Sequence, residues 1–288
     1  MAQRFRISSR VAGALLTAAA LCGTAACSAD GPSDARSAAS QRPDAATVAA
    51  VRRAVDKDAA LNSLSYRVSG KVPGQGTVEG KASSSLRPRA VDMRMTASGG
   101  LKEGEFSVRL LGDAVYLGGG GQAAALLDGK HWLKLAMADA GADAFGGMQR
   151  QADQDPAAQA SLLRRADDVR KVGEETVDGV RTTRYAGVVD VAELPEERGV
   201  AGPPAAGRRA KVIEQYQQLG VGKLHLDLWV GPGDRTVQFR ERAKAAQGPL
   251  DVTIRILDRG KPVTVQAPPA ADTMDLGRKL KERGRQGA

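Results

Sequence analysis

The side chains able to do chemistry in this 288-residue chain are few and far apart. His131 stands beside Trp132, and His225 sits among alternating apolar residues in KLHLDLWV. Neither has a second histidine, a cysteine or a paired carboxylate at ligand spacing, so no metal centre is expected. A serine hydrolase would need one of these two histidines as its base, and no Gly-x-Ser-x-Gly elbow is there to present a nucleophile. The adjacent pairs Glu174-Glu175 and Glu196-Glu197 border turn-forming residues and read as solvated edges. Glycosidase carboxylates come from separate strands, so adjacency carries no such signal. The glycines at 118–121 lack the Lys-Ser/Thr that completes a phosphate loop and are expected to form a flexible hairpin loop. Neither an enzymatic role nor a cofactor is expected.

The remaining reactive groups are the two cysteines, both in VAGALLTAAALCGTAACSAD, residues 11–30. Arg4, Arg6 and Arg10 precede an uncharged run at 11–26 that falls short of the ~20 apolar residues a membrane-spanning helix needs. A basic start, a short apolar stretch and small closing residues describe a cleaved export signal. Cys22 follows Leu21, too large for a signal peptidase pocket, whereas Cys27 follows Thr24-Ala25-Ala26 and precedes Ser28. The stretch resembles a bacterial lipobox, with Thr24 where leucine is usual. Cys27 is then the lipidation site, bearing a diacylglycerol and becoming the new N-terminus. With no Arg-Arg pair before the apolar run, the general secretory route is expected.

Removing residues 1–26 as signal peptide leaves 262 residues with one thiol, which excludes an internal disulfide and leaves stability to packing. Such a length can bury a large core in a single domain. The net charge of +9 falls to +6 once the three signal arginines are gone. Part of that charge sits in RKLKERGRQGA, and residues 277–288 are expected to be a basic, frayed C-terminal tail. Beside a lipid anchor such a tail could lie on anionic headgroups, at roughly 1 kcal/mol per basic residue. Nucleic acid is not an expected partner of an exported chain with only 3% aromatic residues, few for base stacking.

These features leave the elements that would position a site. Residues 27–43 are small, polar and turn-forming, a flexible tether. Asp44 is placed to cap a helix over 45–62, where Val48, Val51 and Val55 repeat at helical spacing. Strands follow. LSYRVSGKV, VDMRMTA and EFSVRL alternate oily and wet residues, TVEGKASSSLR is extended with small residues, and DAVYLGGGG and GKHWLKLAM add two more. The Ala-rich stretch 137–166 contains a helix start at Asp155-Pro156. Asp178-Gly179 makes a hairpin turn, 207–220 is a short helix with apolar face Val212, Ile213 and Tyr216, and KLHLDLWV, RTVQFRER and LDVTIRIL form a meander. Pro268-Pro269 closes the domain. The fold class is α+β: a large curved antiparallel sheet, a half-barrel of about ten strands, with helices on its concave face.

Such a sheet has more oily face than three modest helices cover, so an apolar cavity is expected, and methionines would adapt to a variable acyl chain. Alternation places Val68, Met93, Met95, Phe106, Val108, Leu224, Leu226, Leu228 and Ile254 on that face as lipid-contacting residues. A one-residue register error would invert them all. The rival expectation is a filled core in an envelope sensor or scaffold with a protein partner.

From 44 to 276 the layout resembles the actinobacterial LppX/LprG-type lipoproteins, within the wider LolA lipoprotein-carrier fold. The resemblance rests on GEETVDGVRTTRYAGVVDV, with Gly179, Thr182 and Tyr185 in a Gly-x-x-Thr-x-x-Tyr pattern, and on LDLWVGPGDRTVQFRER. The Arg-, Ala- and Gly-heavy composition suits a high-GC actinobacterium. The resemblance implies a half-barrel that holds lipid or acylated glycolipid chains non-covalently and carries or presents them. It implies a location on the extracytoplasmic face of the cell membrane, held by the lipid anchor. A membrane transporter or another envelope protein would be the partner.

Overall fold

The computed structural model describes residues 43–100, 103–120, 124–125, 127–136, 159–194 and 213–286. Cys22, Cys27, the expected tether up to residue 42, Asp155-Pro156, Glu196-Glu197 and Val212 lie outside the described residues.

Helix α1 (Ala45–Ala59) begins where Asp44 accepts a hydrogen bond from the Thr47 amide at 3.0 Å, satisfying an amide the helix leaves bare. Its buried stripe is Thr47, Ala50, Val51, Ala54 and Val55. Val48, counted in the oily repeat by spacing, is 44% exposed. The stripe is narrower and made of smaller residues than the valine spacing suggested.

Among the described residues twelve strands follow: β1 (Ser63–Val72), β2 (Gly76–Leu86), β3 (Arg89–Ser98), β4 (Gly104–Leu111), β5 (Ala114–Gly119), β6 (Trp132–Ala136), β7 (Arg170–Val177), β8 (Val180–Asp190), β9 (Lys223–Gly231), β10 (Arg235–Ala245), β11 (Gly248–Arg259) and β12 (Thr273–Asp275). They form one open sheet in the order β12-β6-β5-β4-β3-β2-β1-β11-β10-β9-β8-β7. Two meanders, β1–β6 and β7–β11, join where β1 pairs antiparallel with β11. All pairings are antiparallel except β12 on β6. The result is the curved half-barrel of the α+β class.

The hairpin at Asp178-Gly179 has φ of 47° and 78°, the left-handed conformation a two-residue turn requires. Two parts of the chain depart from expectation. Gly118 and Gly119 belong to β5 rather than to a loop, with Gly118 opposite Trp132. The expected frayed end is helix α2 (Leu276–Gln286): Asp275 accepts from the Arg278 amide at 3.1 Å, and Lys279 pairs with Asp128.

A cross-section of the sheet gives one oily row running Leu228–Phe239–Ile254–Val68–Gly80–Met95–Phe106 across seven strands. Gly80 has a local reason. A Cβ there would stand 2.4 Å from the Met95 sulfur and 2.2 Å from the Arg94 carbonyl oxygen. Its absence lets Met95 lie across β2.

The opposite face carries a lattice of charge. Asp227 on β9 is wholly buried and accepts from Arg184 through Oδ1 at 2.9 and 2.8 Å and from Arg242 through Oδ2 at 2.9 Å. Arg184 also stacks 5.0 Å from the Trp229 ring centroid, and the Trp229 indole donates to Glu175 at 2.8 Å. Arg240 and Asp251 pair bidentately at 2.8 and 2.7 Å. Glu175, exposed as expected of a solvated edge, also links β7 to Arg184 on β8 and Trp229 on β9. Among the described residues no helix is long and apolar enough to cross a membrane.

Candidate functional site

The two halves of the concave face are covered differently. Helix α1 packs on β9 and β10, and the 3-10 turn Ser161–Arg165 packs on β8. Leu163 and Ala166 close directly over Gly187, the register partner of Leu226. Over the middle of the sheet the cover stands off, leaving a hollow of about 340 Å³. Ligand pockets begin at roughly 300 Å³, so the space suits one acyl chain rather than several.

The floor of the hollow is apolar: Val68 and Val72 from β1, Val78 from β2, Met93 and Met95 from β3, Phe106 from β4, and Leu250, Val252 and Ile254 from β11. Its roof comes from Gln159 and from the helical segment 213–218 with Leu219. Of the nine residues expected to meet lipid, Val68, Met93, Met95, Phe106 and Ile254 line the hollow. Leu224, Leu226 and Leu228 do not. They are 0–1% exposed, packed into the core on the half of the sheet that α1 and the 3-10 turn cover. Val108 faces the same side as Met93, its register partner, but is buried in the core outside the hollow. The parity of the strands was right and the covering of β9 was not visible from it. A completely filled core is also not what the described residues form.

One residue in this oily floor is a carboxylic acid. Glu241 stands between Leu226 on β9 and Val252 on β11, only 4% exposed, and lines the hollow. Its carboxyl accepts a hydrogen bond from the Tyr216 hydroxyl. Loss of water raises its pKa from 4.5 to about 7, against which the Tyr216 hydrogen bond works. Burial and the facing carboxyl push the Tyr216 hydroxyl well above its ordinary value. The signal was present in TVQFRER, where Phe239 and Glu241 share a parity and Glu241 falls on an apolar slot. A register shift between Thr236 and Gln238, which sets Val237 out of step, blurred the alternation.

The buried carboxyl has a consequence for stability. Between about pH 4.5 and 7 the folded chain holds a proton that the unfolded chain has released, so stability falls as pH rises through that window. The contribution is full below 4.5 and amounts to about 3 kcal/mol over the interval. Glu175, Asp234, Asp251 and Asp275 are held below their usual values by hydrogen bonds from Trp229, Arg53, Arg240 and Lys134, so their opposite contributions fall at lower pH. Denaturant melts of Glu241→Gln are expected to be flat across the window where the parent slopes. An unchanged slope in the variant would place the titrating group elsewhere.

The histidines do not come together. His131 is exposed before β6, where its backbone amide and its Nδ1 both meet Asp272 Oδ1, at 2.9 and 2.8 Å. His225 is on the charged face of β9 opposite Arg242, at the other side of the sheet. Among the described residues no group of three or more His, Cys, Asp or Glu is placed to hold a metal ion.

No family profile matches the chain. It is 33% identical over 186 residues to an uncharacterised 31.2 kDa protein encoded between rplA and rplJ in Streptomyces griseus, an alignment covering 63% of this chain and 60% of that one. It is 32% identical over 183 residues to a candidate lipoprotein of Streptomyces coelicolor, covering 62% of this chain and 54% of the relative. The matches therefore span little more than half the length of either relative. The crystal structure of LprF from Mycobacterium bovis superposes with a TM-score of 0.51 at 17% identity, covering 79% of this chain and 99% of that one. In fold, the chain is of the LppX/LprG type.

Proposed function

We propose that this is a membrane-anchored extracytoplasmic protein that holds an acyl chain of a lipid or acylated glycolipid in the hollow of its half-barrel. It would do so without any covalent step. The observation that carries the reading is the apolar hollow between sheet and cover, floored by Val68, Met93, Met95, Phe106 and Ile254. Each methylene transferred there from water contributes about 0.8 kcal/mol. Support for the anchor comes from the Cys27 lipobox and from the description of the S. coelicolor relative as a lipoprotein. Five strands of backbone underlie the site, so the floor is rigid, and the methionines supply the adaptable surface.

The binding claim is tested by titrating the purified full chain with a fluorescent polyene fatty acid. Saturation at a single site, with the blue-shifted emission of a dry environment, is expected. Emission that never departs from that of the free probe would reject the reading. The anchor is tested separately. Cys27→Ala is expected to leave the protein in the medium or unprocessed, because a diacylglycerol is the durable attachment. Recovery of processed Cys27→Ala in the membrane fraction would contradict it.

A further inference from the structure

The apolar hollow holds one group that an ordinary core would not retain, a carboxyl open to the space itself. The Tyr216 hydroxyl occupies only Oε2 of Glu241. Oε1 is open to the hollow and has no hydrogen-bond partner among the described residues. Its surroundings are uncharged. Leu226 on β9 and Val252 on β11 flank it, and the stripe that α1 lays over β10 is Thr47 with alanines and valines. Among the described residues the other titratable groups lining the hollow are the Tyr66 and Tyr216 hydroxyls, and no lysine, arginine or histidine lines it. Glu214, on the roof segment, is exposed and takes the Gln218 amide instead. Arg240 and Arg242 are next but one to the site along β10 and its neighbours, yet they belong to the opposite face and pair with Asp251 and Asp227.

Water and an acyl chain therefore compete for the space in front of Oε1. A neutral carboxyl gives up its water to hydrocarbon at modest cost. An ionised one with no cation facing it does not, because stripping water from a lone charge is far more expensive. We propose that the proton on Glu241 gates the hollow: the neutral carboxyl admits an acyl chain, and its ionisation draws in water and releases the guest. This gate presupposes the acyl-chain reading above and adds how that site is regulated. The carboxyl titrates at about 7, so the two states exchange around neutral pH. As pH rises further only the protonated fraction is competent, and apparent affinity falls with it. By linkage, a bound chain holds the proton more tightly, so binding takes up a proton.

The test is titration of the full chain with the methyl ester of the fluorescent polyene fatty acid, which has no titratable group of its own. Its dissociation constant is expected to be about tenfold larger at pH 8 than at pH 6. Calorimetry at pH 8, in buffers of differing ionisation enthalpy, should show close to one proton taken up per ester bound. The saturating fluorescence counts folded sites, so affinity is read apart from any effect of pH on folding. Glu241→Gln keeps the shape and cannot ionise. It is expected to show one dissociation constant at both pH values and no proton uptake. A constant that is flat from pH 6 to 8 in the parent, or a slope that survives in Glu241→Gln, would overturn the gate while leaving acyl binding intact. Failure of the ester to bind the parent at either pH would sink the acyl-chain reading itself, and the gate with it.

Discussion

Val68→Trp is expected to weaken acyl-chain binding about 50-fold while leaving the fold in place. Val68 projects from β1 into the centre of the hollow, between Ile254 on β11 and Gly80 on β2, and is only half buried. An indole in place of the isopropyl group displaces about three methylenes of a guest, at about 0.8 kcal/mol each. The loss of about 2.4 kcal/mol corresponds to that factor in dissociation constant. Inserting bulk into a close-packed core costs about 1–3 kcal/mol of stability; filling an existing space should cost less than 1. The titration and the thermal midpoint are therefore read together. Weakened binding with an unchanged midpoint supports the hollow as the site. Undiminished affinity would mean that the probe sits elsewhere.

Asp227→Asn is expected to be the most damaging single substitution for stability, by about 3 kcal/mol. The carboxylate is wholly buried and both its oxygens are engaged, one by Arg184 and the other by Arg242. Removing one member of such a cluster leaves uncompensated charge, which typically costs about 3–5 kcal/mol. The lower end applies because the Arg184 and Arg242 side chains are 26% and 43% exposed and can take up water. For a domain of this size the thermal midpoint should fall by roughly 10 °C. The effect belongs to the charged face, so residual acyl binding in the folded fraction should match the parent. A midpoint within 2–3 °C of the parent, about 1 kcal/mol, would show that the cluster contributes little.

The two faces also show what the amino-acid sequence could and could not reveal. Alternation identified the strands of both meanders and put Val68, Met93, Met95, Phe106 and Ile254 on the correct face, because parity follows from the pleat alone. It could not distinguish these from Leu224, Leu226 and Leu228, which have the same parity and hydrophobicity. What separates them is the cover: the stripe of α1 and the closure of Leu163 and Ala166 on Gly187. That is a tertiary property with no local trace. Glu241 was legible as an acid on an apolar parity, but the irregularity at Thr236/Gln238 hid the phase. Gln159 lies just before a 3-10 turn, and nothing in AAQASLLRR marks an amide as buried.

The C-terminal elements were missed for a different reason. Strand β12 is three residues long and pairs parallel with β6, too short for any period to register. Helix α2 is rich in lysine and arginine, which suggested a solvated end. The cap at Asp275 and the pairs Lys134–Asp275 and Lys279–Asp128 tie it to β6 and to the loop before it. The small residues of β2 give room to larger neighbours: Ala82 lies between Tyr66 and Met93, and Gly80 lies beneath Met95.

The most direct measurement is the lipid content of the protein taken from its own membrane. Purified in mild detergent, extracted into organic solvent and weighed by mass spectrometry, the chain should release about one non-covalently held acyl lipid per molecule, distinct from the anchor proposed at Cys27. The same extraction from Val68→Trp should be depleted of it. A parent protein that yields no non-covalently held lipid, and takes up no added acyl chain, would contradict the account.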